Sequence, residues 1–169
     1  MHITNVIKVG VCSLLLVFAT NTYAYETTGQ AMYTLNDSLA LYTVGYEFGF
    51  LNADLWMPIT AVRENQTETT KPLVSYAFMT PQAETAWSGV SHAIVVSDAV
   101  VKNGYYFVPA GERANFTLLV LYQPVGTTGE SVSLQVTELA GLIKKDGELS
   151  RVQVTPEELE QYQTPALSQ

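Results

Sequence analysis

Apolar residues along this chain come in short runs broken by turn formers, and between Ala31 and Leu139 there is little sign of a sustained helical period. That rhythm predicts an all-β protein. The runs that read as strands are AMYTL (31–35), LALYTVGYEFGF (39–50), DLWMP (54–58), LVSYAFM (73–79), SHAIVVS (91–97), YYFV (105–108), NFTLLVLY (115–122) and SVSLQVTEL (131–139). Tyr, Phe, Val and Thr dominate them, the types that fit a pleated, half-buried surface. In the second run Tyr42, Val44, Tyr46, Phe48 and Phe50 share one face, and Thr43, Gly45, Glu47 and Gly49 share the other. One face therefore belongs to a core, and the other meets solvent or a neighbour. The run is about twice the usual strand length, which predicts a bend or bulge at Gly45 or Gly49, as where a strand passes between sheets. Eight such strands predict a two-sheet antiparallel sandwich.

The punctuation between runs is equally informative. RENQTETTK (63–71) has no apolar residue and predicts an exposed loop. GLIKKDGELSRVQV (141–154) reads as a last hairpin turning at Asp146-Gly147. TPEELEQYQTP (155–165) predicts a short helix, with Thr155 as N-cap, Pro156 at its first position, Glu158 completing a capping box and Pro165 as the stop. In VPAGE (108–112), Pro109 suits the second position of a turn, and Gly111 either ends a type I turn or supplies the positive φ of a type II turn. Phe116, Leu118, Val120 and Tyr122 then alternate on one face of the following strand. An aromatic-Val-Pro-Ala-Gly-Glu segment followed by an alternating Phe-x-Leu-x-Val strand resembles exported bacterial immunoglobulin-like sandwiches. The likeness is confined to Gly104 through Tyr122. It implies an immunoglobulin-like fold and a strand-to-strand crossover, and it implies no activity.

The first residues place Lys8 before the apolar run Val9 to Ala19, with small residues at Thr22 and Ala24. That order predicts a secretory signal peptide cleaved after Ala24, since the run is shorter than the ~20 residues that span a bilayer. The segments expected are 1–24 as signal peptide, 25–154 as β-sandwich and 155–169 as short helix and tail. The only cysteine, Cys12, lies in the apolar run, so the mature chain is free of disulfides and held by packing alone. The net charge of -8 becomes about -9 once Lys8 leaves with the leader. An acidic chain repels nucleic-acid phosphates and anionic lipid, and neither partner is expected.

Chemistry is sparse. Outside the leader there is one histidine, His92, and it lies within a strand pattern with no nucleophile motif beside it; a surface or hydrogen-bonded histidine is expected. His92 with Met57 and Met79 is thin material for copper. NDS (36–38), NAD (52–54) and SDA (97–99) offer oxygen ligands but are ordinary turn formers. The sequons at Asn36, Asn65 and Asn115 matter only in a eukaryotic host. Trp56 lies in an apolar strand, whereas Trp87 lies in a polar loop and is the one weak candidate for ligand binding. No catalytic, cofactor-binding or metal residue is therefore assigned. The expectation is a bacterial, non-enzymatic exported structural or protein-interaction module, periplasmic or extracellular, whose partner is another envelope or extracellular protein. The alternative is a small carbohydrate- or ligand-binding sandwich. Exposed rings in a row would favour the ligand module, and a bare sheet edge or an apolar patch would favour a protein partner.

Overall fold

The alternating runs do form strands, and the strands assemble into two sheets around a shared core. The computed structural model describes residues 23–24, 29–36, 39–64, 71–82, 89–123, 131–145 and 147–168. In chain order its elements are β1 (Tyr23–Ala24), β2 (Gly29–Asn36), β3 (Leu39–Phe50), β4 (Asp54–Pro58), β5 (Val62–Arg63), β6 (Val74–Met79), β7 (Val90–Ser97), β8 (Val100–Lys102), β9 (Tyr105–Val108), β10 (Arg113–Gln123), β11 (Ser131–Lys145), β12 (Glu148–Gln153), the single-turn helix α1 (Pro156–Leu159) and β13 (Leu167–Ser168). The smaller sheet runs from β1 and β2, both paired to β3, through β10 to β7 at the far edge. The larger sheet runs β5-β6-β11-β4-β9-β8, with β12 and β13 also paired to β11. β5 and β6 are parallel, so the pairing is not purely antiparallel as the strand pattern suggested.

β3 carries no bulge against β10 at Gly45 or Gly49. It stays in one sheet and pairs with β10 without a slip from Ala40 to Gly49. The irregularities lie elsewhere: β2 shifts register against β3 between Thr34 and Asn36, and β11 pairs with β6 as far as Leu139, shifts register between Val136 and Glu138, and then pairs with β4 and β12. The β11 bulge is pinned electrostatically. The buried Glu138 carboxylate meets Lys71 Nζ at 2.6 Å and Arg151 Nη2 at 2.7 Å, and Arg151 also donates to the carbonyls of Lys71 and Pro72. Gly49 serves a different purpose from the one its sequence suggested. A Cβ there would collide with the Glu112 carbonyl, so glycine lets the two inter-sheet crossings lie against each other.

Those crossings are Leu51–Ala53, from β3 to β4, and Pro109–Glu112, from β9 to β10. Gly111 N–H donates to the Phe50 carbonyl at 2.8 Å, and Ala110 N–H donates to Asp54 Oδ1 at 3.1 Å. Glu112 N–H closes the turn on the Pro109 carbonyl at 3.1 Å, and Gly111 has φ +84°. This is a type II turn one residue later than expected: Pro109 is its first residue, because the positive φ it requires falls on Gly111 at the third. A Cβ at Gly111 would meet nothing closer than Leu51 O at 3.9 Å, so a substitution there tests backbone strain alone. Gly111→Val is expected to cost at least about 1 kcal/mol in urea unfolding. A variant as stable as the parent would show that the positive φ is not required.

The core is aromatic. Phe78 from β6 lies 5.6 Å from Tyr42 and 4.2 Å from Tyr122, ring centre to ring centre, joining the larger sheet to the smaller. Tyr46 stacks on Phe116 at 5.5 Å. The helix forms where predicted, with Thr155 N–H donating to Glu158 Oε2 at 3.0 Å, but it ends at Leu159, well before Pro165. Tertiary pairing ends it. Val136 N–H donates to the Tyr162 carbonyl and Thr164 N–H to the Leu134 carbonyl, and the Tyr162 ring is fully buried.

Candidate functional site

β7 is the element in which apolar side chains and burial part company. Its two faces are Ser91, Ala93, Val95 and Ser97 on one side and Val90, His92, Ile94 and Val96 on the other. Hydrophobicity alone would bury the second set, yet Val95 is the one fully buried member of the strand, while Val90, Ile94 and Val96 are 55, 46 and 43% exposed. A one-residue slip would exchange the faces. The register is instead held by polar contacts that suit the smaller side chains. Tyr106 donates to the Val95 carbonyl at 3.0 Å, Val95 N–H donates to the Ile59 carbonyl at 2.7 Å, Tyr76 and Ser91 hydroxyls share a bond at 3.0 Å, and Ser97 Oγ donates to the Asn115 carbonyl at 2.6 Å.

The outward face continues across the sheet. Val96 lies opposite Thr117, Ile94 opposite Leu119 and His92 opposite Leu121; Leu119 and Leu121 in turn lie opposite Thr43 and Leu41. These middle residues are half-buried, and no charged side chain interrupts them until Glu47 and Arg113, 3.8 Å apart at one end of the sheet. After β7 the chain turns at Asp98 into β8, where Val100 and Val101 are also exposed. Among the described residues, five of the seven exposed large apolar side chains lie between Val90 and Val101. Such a concentration makes this strand and its neighbours a candidate contact surface. The open side of β7 is partly closed by the Ile59 contact and by Arg63 donating to the Gly89 carbonyl, so the face is more available than the strand edge.

The other sequence candidates fall elsewhere. Trp87 and Asn65 lie outside the described residues, as does the predicted leader up to Thr22; Tyr23 and Ala24 pair with Phe50 and Gly49. Trp56 is half-buried on the outward face of the larger sheet, 4.7 Å from the Phe107 ring, and Lys102 Nζ sits 3.6 Å from the centre of that ring. Met57 is in the core. Asp98 accepts from Asn115 N–H and Asn115 Nδ2, and Asp54 accepts from Ala110, so both carboxylates hold turns. A cleft of about 350 Å³ lies near the β9–β10 crossing, between Asp98, Lys102, Phe107 and Arg113. Its Asp98 and Lys102 already hold the contacts just given, and Arg113 faces Glu47. Among the described residues no helix is long and apolar enough to cross a membrane.

No family model, curated protein or solved structure matches this chain. The exposed side of β7 was missed in the sequence because alternation shows two faces without saying which turns inward. No local signal could have found it: Ser91 and Ser97 lie on the parity that the structure turns inward, the reverse of what their polarity suggests.

Proposed function

We propose that this chain is a non-enzymatic exported module with an immunoglobulin-like two-sheet sandwich, and that it works by binding another protein through the outward face of β7 and its neighbours. One observation carries the reading. β7 turns its larger apolar side chains to solvent in a register that smaller, polar residues hold in place, a local violation of the folding pattern of the kind that marks a functional surface. Export rests on the leader, and the envelope or the cell exterior is where the partner is sought. The second reading, a carbohydrate-binding module, draws on the Trp56–Phe107 pair, but Lys102 lies over the Phe107 ring that a sugar would stack against.

Cross-linking in the native envelope tests the proposal. Wild type is expected to form a specific cross-linked species that Ile94→Glu loses while its melting temperature stays within about 2 °C, since surface changes away from packing rarely exceed about 0.5 kcal/mol. Specific retention on a glycan array, lost on Phe107→Ala and kept on Ile94→Glu, would overturn it in favour of the second reading. A hundredfold or greater loss of a hydrolytic rate in His92→Ala would overturn its non-enzymatic part.

A further inference from the structure

Resting on that reading, we propose that the outward face of the smaller sheet is covered by a second copy of this chain, packed face to face about a two-fold axis. The charge distribution selects this occupant. The chain carries a net charge of -8, so two copies repel over most of their surfaces. The described patch of Val90, His92, Ile94, Val96, Leu119, Leu121 and Leu41 has no carboxylate, lysine or arginine among these residues. A basic partner would be met by carboxylates, and this face has none before Glu47 at its end. A sheet face of Val, Ile and Leu, with His92, Thr117 and Thr43 between them, fits another such face, since aligned sheets pack about 10 Å apart with their side chains interleaved. A two-fold contact needs just this: one patch that complements itself.

The size of the face sets the strength. Three strands about 4.8 Å apart and eight residues long at about 3.3 Å per residue present on the order of 400 Å² per copy. The total, about 800 Å², lies below the ~1,200 Å² at which stable interfaces begin. The dimer is therefore weak and concentration-dependent, with a Kd between about 1 µM and 1 mM.

Sedimentation equilibrium on the protein as its host leaves it, from about 1 µM to 1 mM, reads the proposal. A monomer–dimer equilibrium is expected, and it should tighten as NaCl is raised from about 0.01 to 0.5 M, because salt screens the repulsion between the acidic bodies and leaves the apolar contact intact. Ile94→Glu and, independently, Val90→Lys should each raise the Kd at least about tenfold, since each puts a charge into an apolar contact. Leu149→Glu, on β12 and outside this face, should leave it unchanged. Monomer throughout, a dimer that loosens with salt, or a dimer indifferent to Ile94→Glu and Val90→Lys overturns the proposal. If the chain is monomeric but Ile94→Glu still abolishes the envelope cross-link, self-association fails and the protein-binding reading stands; if the cross-link is also unaffected, both fail.

Discussion

Above pH ~10 this protein is expected to unfold cooperatively, and its buried tyrosines are the reason. Burial pushes the Tyr42 and Tyr46 hydroxyls well above the ordinary tyrosine range, with a further push from neighbouring tyrosines, and burial raises Tyr76 against the opposing effects of its Ser91 bond and Arg63. A folded-state pKa above the unfolded value means that both states hold the proton below pH ~10, where stability is fully present. As pH rises through that value the unfolded chain releases protons that the native state keeps, and each such tyrosine removes about 1.4 kcal/mol per pH unit. Two or three acting together would exhaust a stability of about 5–15 kcal/mol within a few pH units. Tyrosinate absorbance followed alongside circular dichroism should show Tyr42, Tyr46 and Tyr76 ionising only as the fold is lost. Complete, smooth titration near pH 10 with the fold intact would refute it.

The two central hydroxyls are not equivalent. Tyr42 donates to the Val132 carbonyl at 3.0 Å, across the two sheets, whereas the Tyr46 hydroxyl is buried with no hydrogen-bond partner among the described residues. Tyr42→Phe should therefore cost about 1 kcal/mol, and Tyr46→Phe should be neutral or stabilising, because it removes a buried polar group that gains nothing. Denaturant unfolding of both variants decides whether the signs differ.

Phe78→Ala is expected to destabilise the fold by about 3–5 kcal/mol, more than any other single change considered. Its ring is fully buried, touches Tyr42 and Tyr122 of the opposite sheet and Tyr76 of its own strand, and has the Arg63 guanidinium 5.0 Å from its centre. Alanine leaves a cavity at the seam between sheets, where β6 and β11 on one side and β3 and β10 on the other are too constrained by their ladders to collapse. Urea unfolding should show a lower midpoint with an unchanged slope. A loss below about 1 kcal/mol would mean that the seam repacks.

Strand existence was legible because period-two alternation is a local property. β3, β4 and β9 begin and end where their residues predict, and the capping box at Thr155 and Glu158 forms as read. β8 went unread because Val100–Lys102 is too short for any period to show, and it exists only through its pairing with β9. β11 was read as two pieces, a strand ending at Leu139 and the first arm of a last hairpin beginning at Gly141. In the fold a Cβ at Gly141 would come within 2.5 Å of Leu55 Cδ1 and 2.8 Å of Met57 Sδ, so glycine leaves room for these core side chains as the strand runs on beside β4.

The amino-acid sequence by itself determined that the chain is all-β, where most strands lie, and that the last hairpin and the helix start follow β-rich sequence, because each depends on neighbours a few residues apart. Tertiary structure decided where β11 shifts register, where the tail pairs and which side of β7 faces water. Those outcomes depend on partners distant in sequence: Glu138 on Lys71, Tyr162 on Val136, and Val95 on Tyr106 and Ile59. Alternation constrains two faces equally, and only the contacts that hold a register can choose between them.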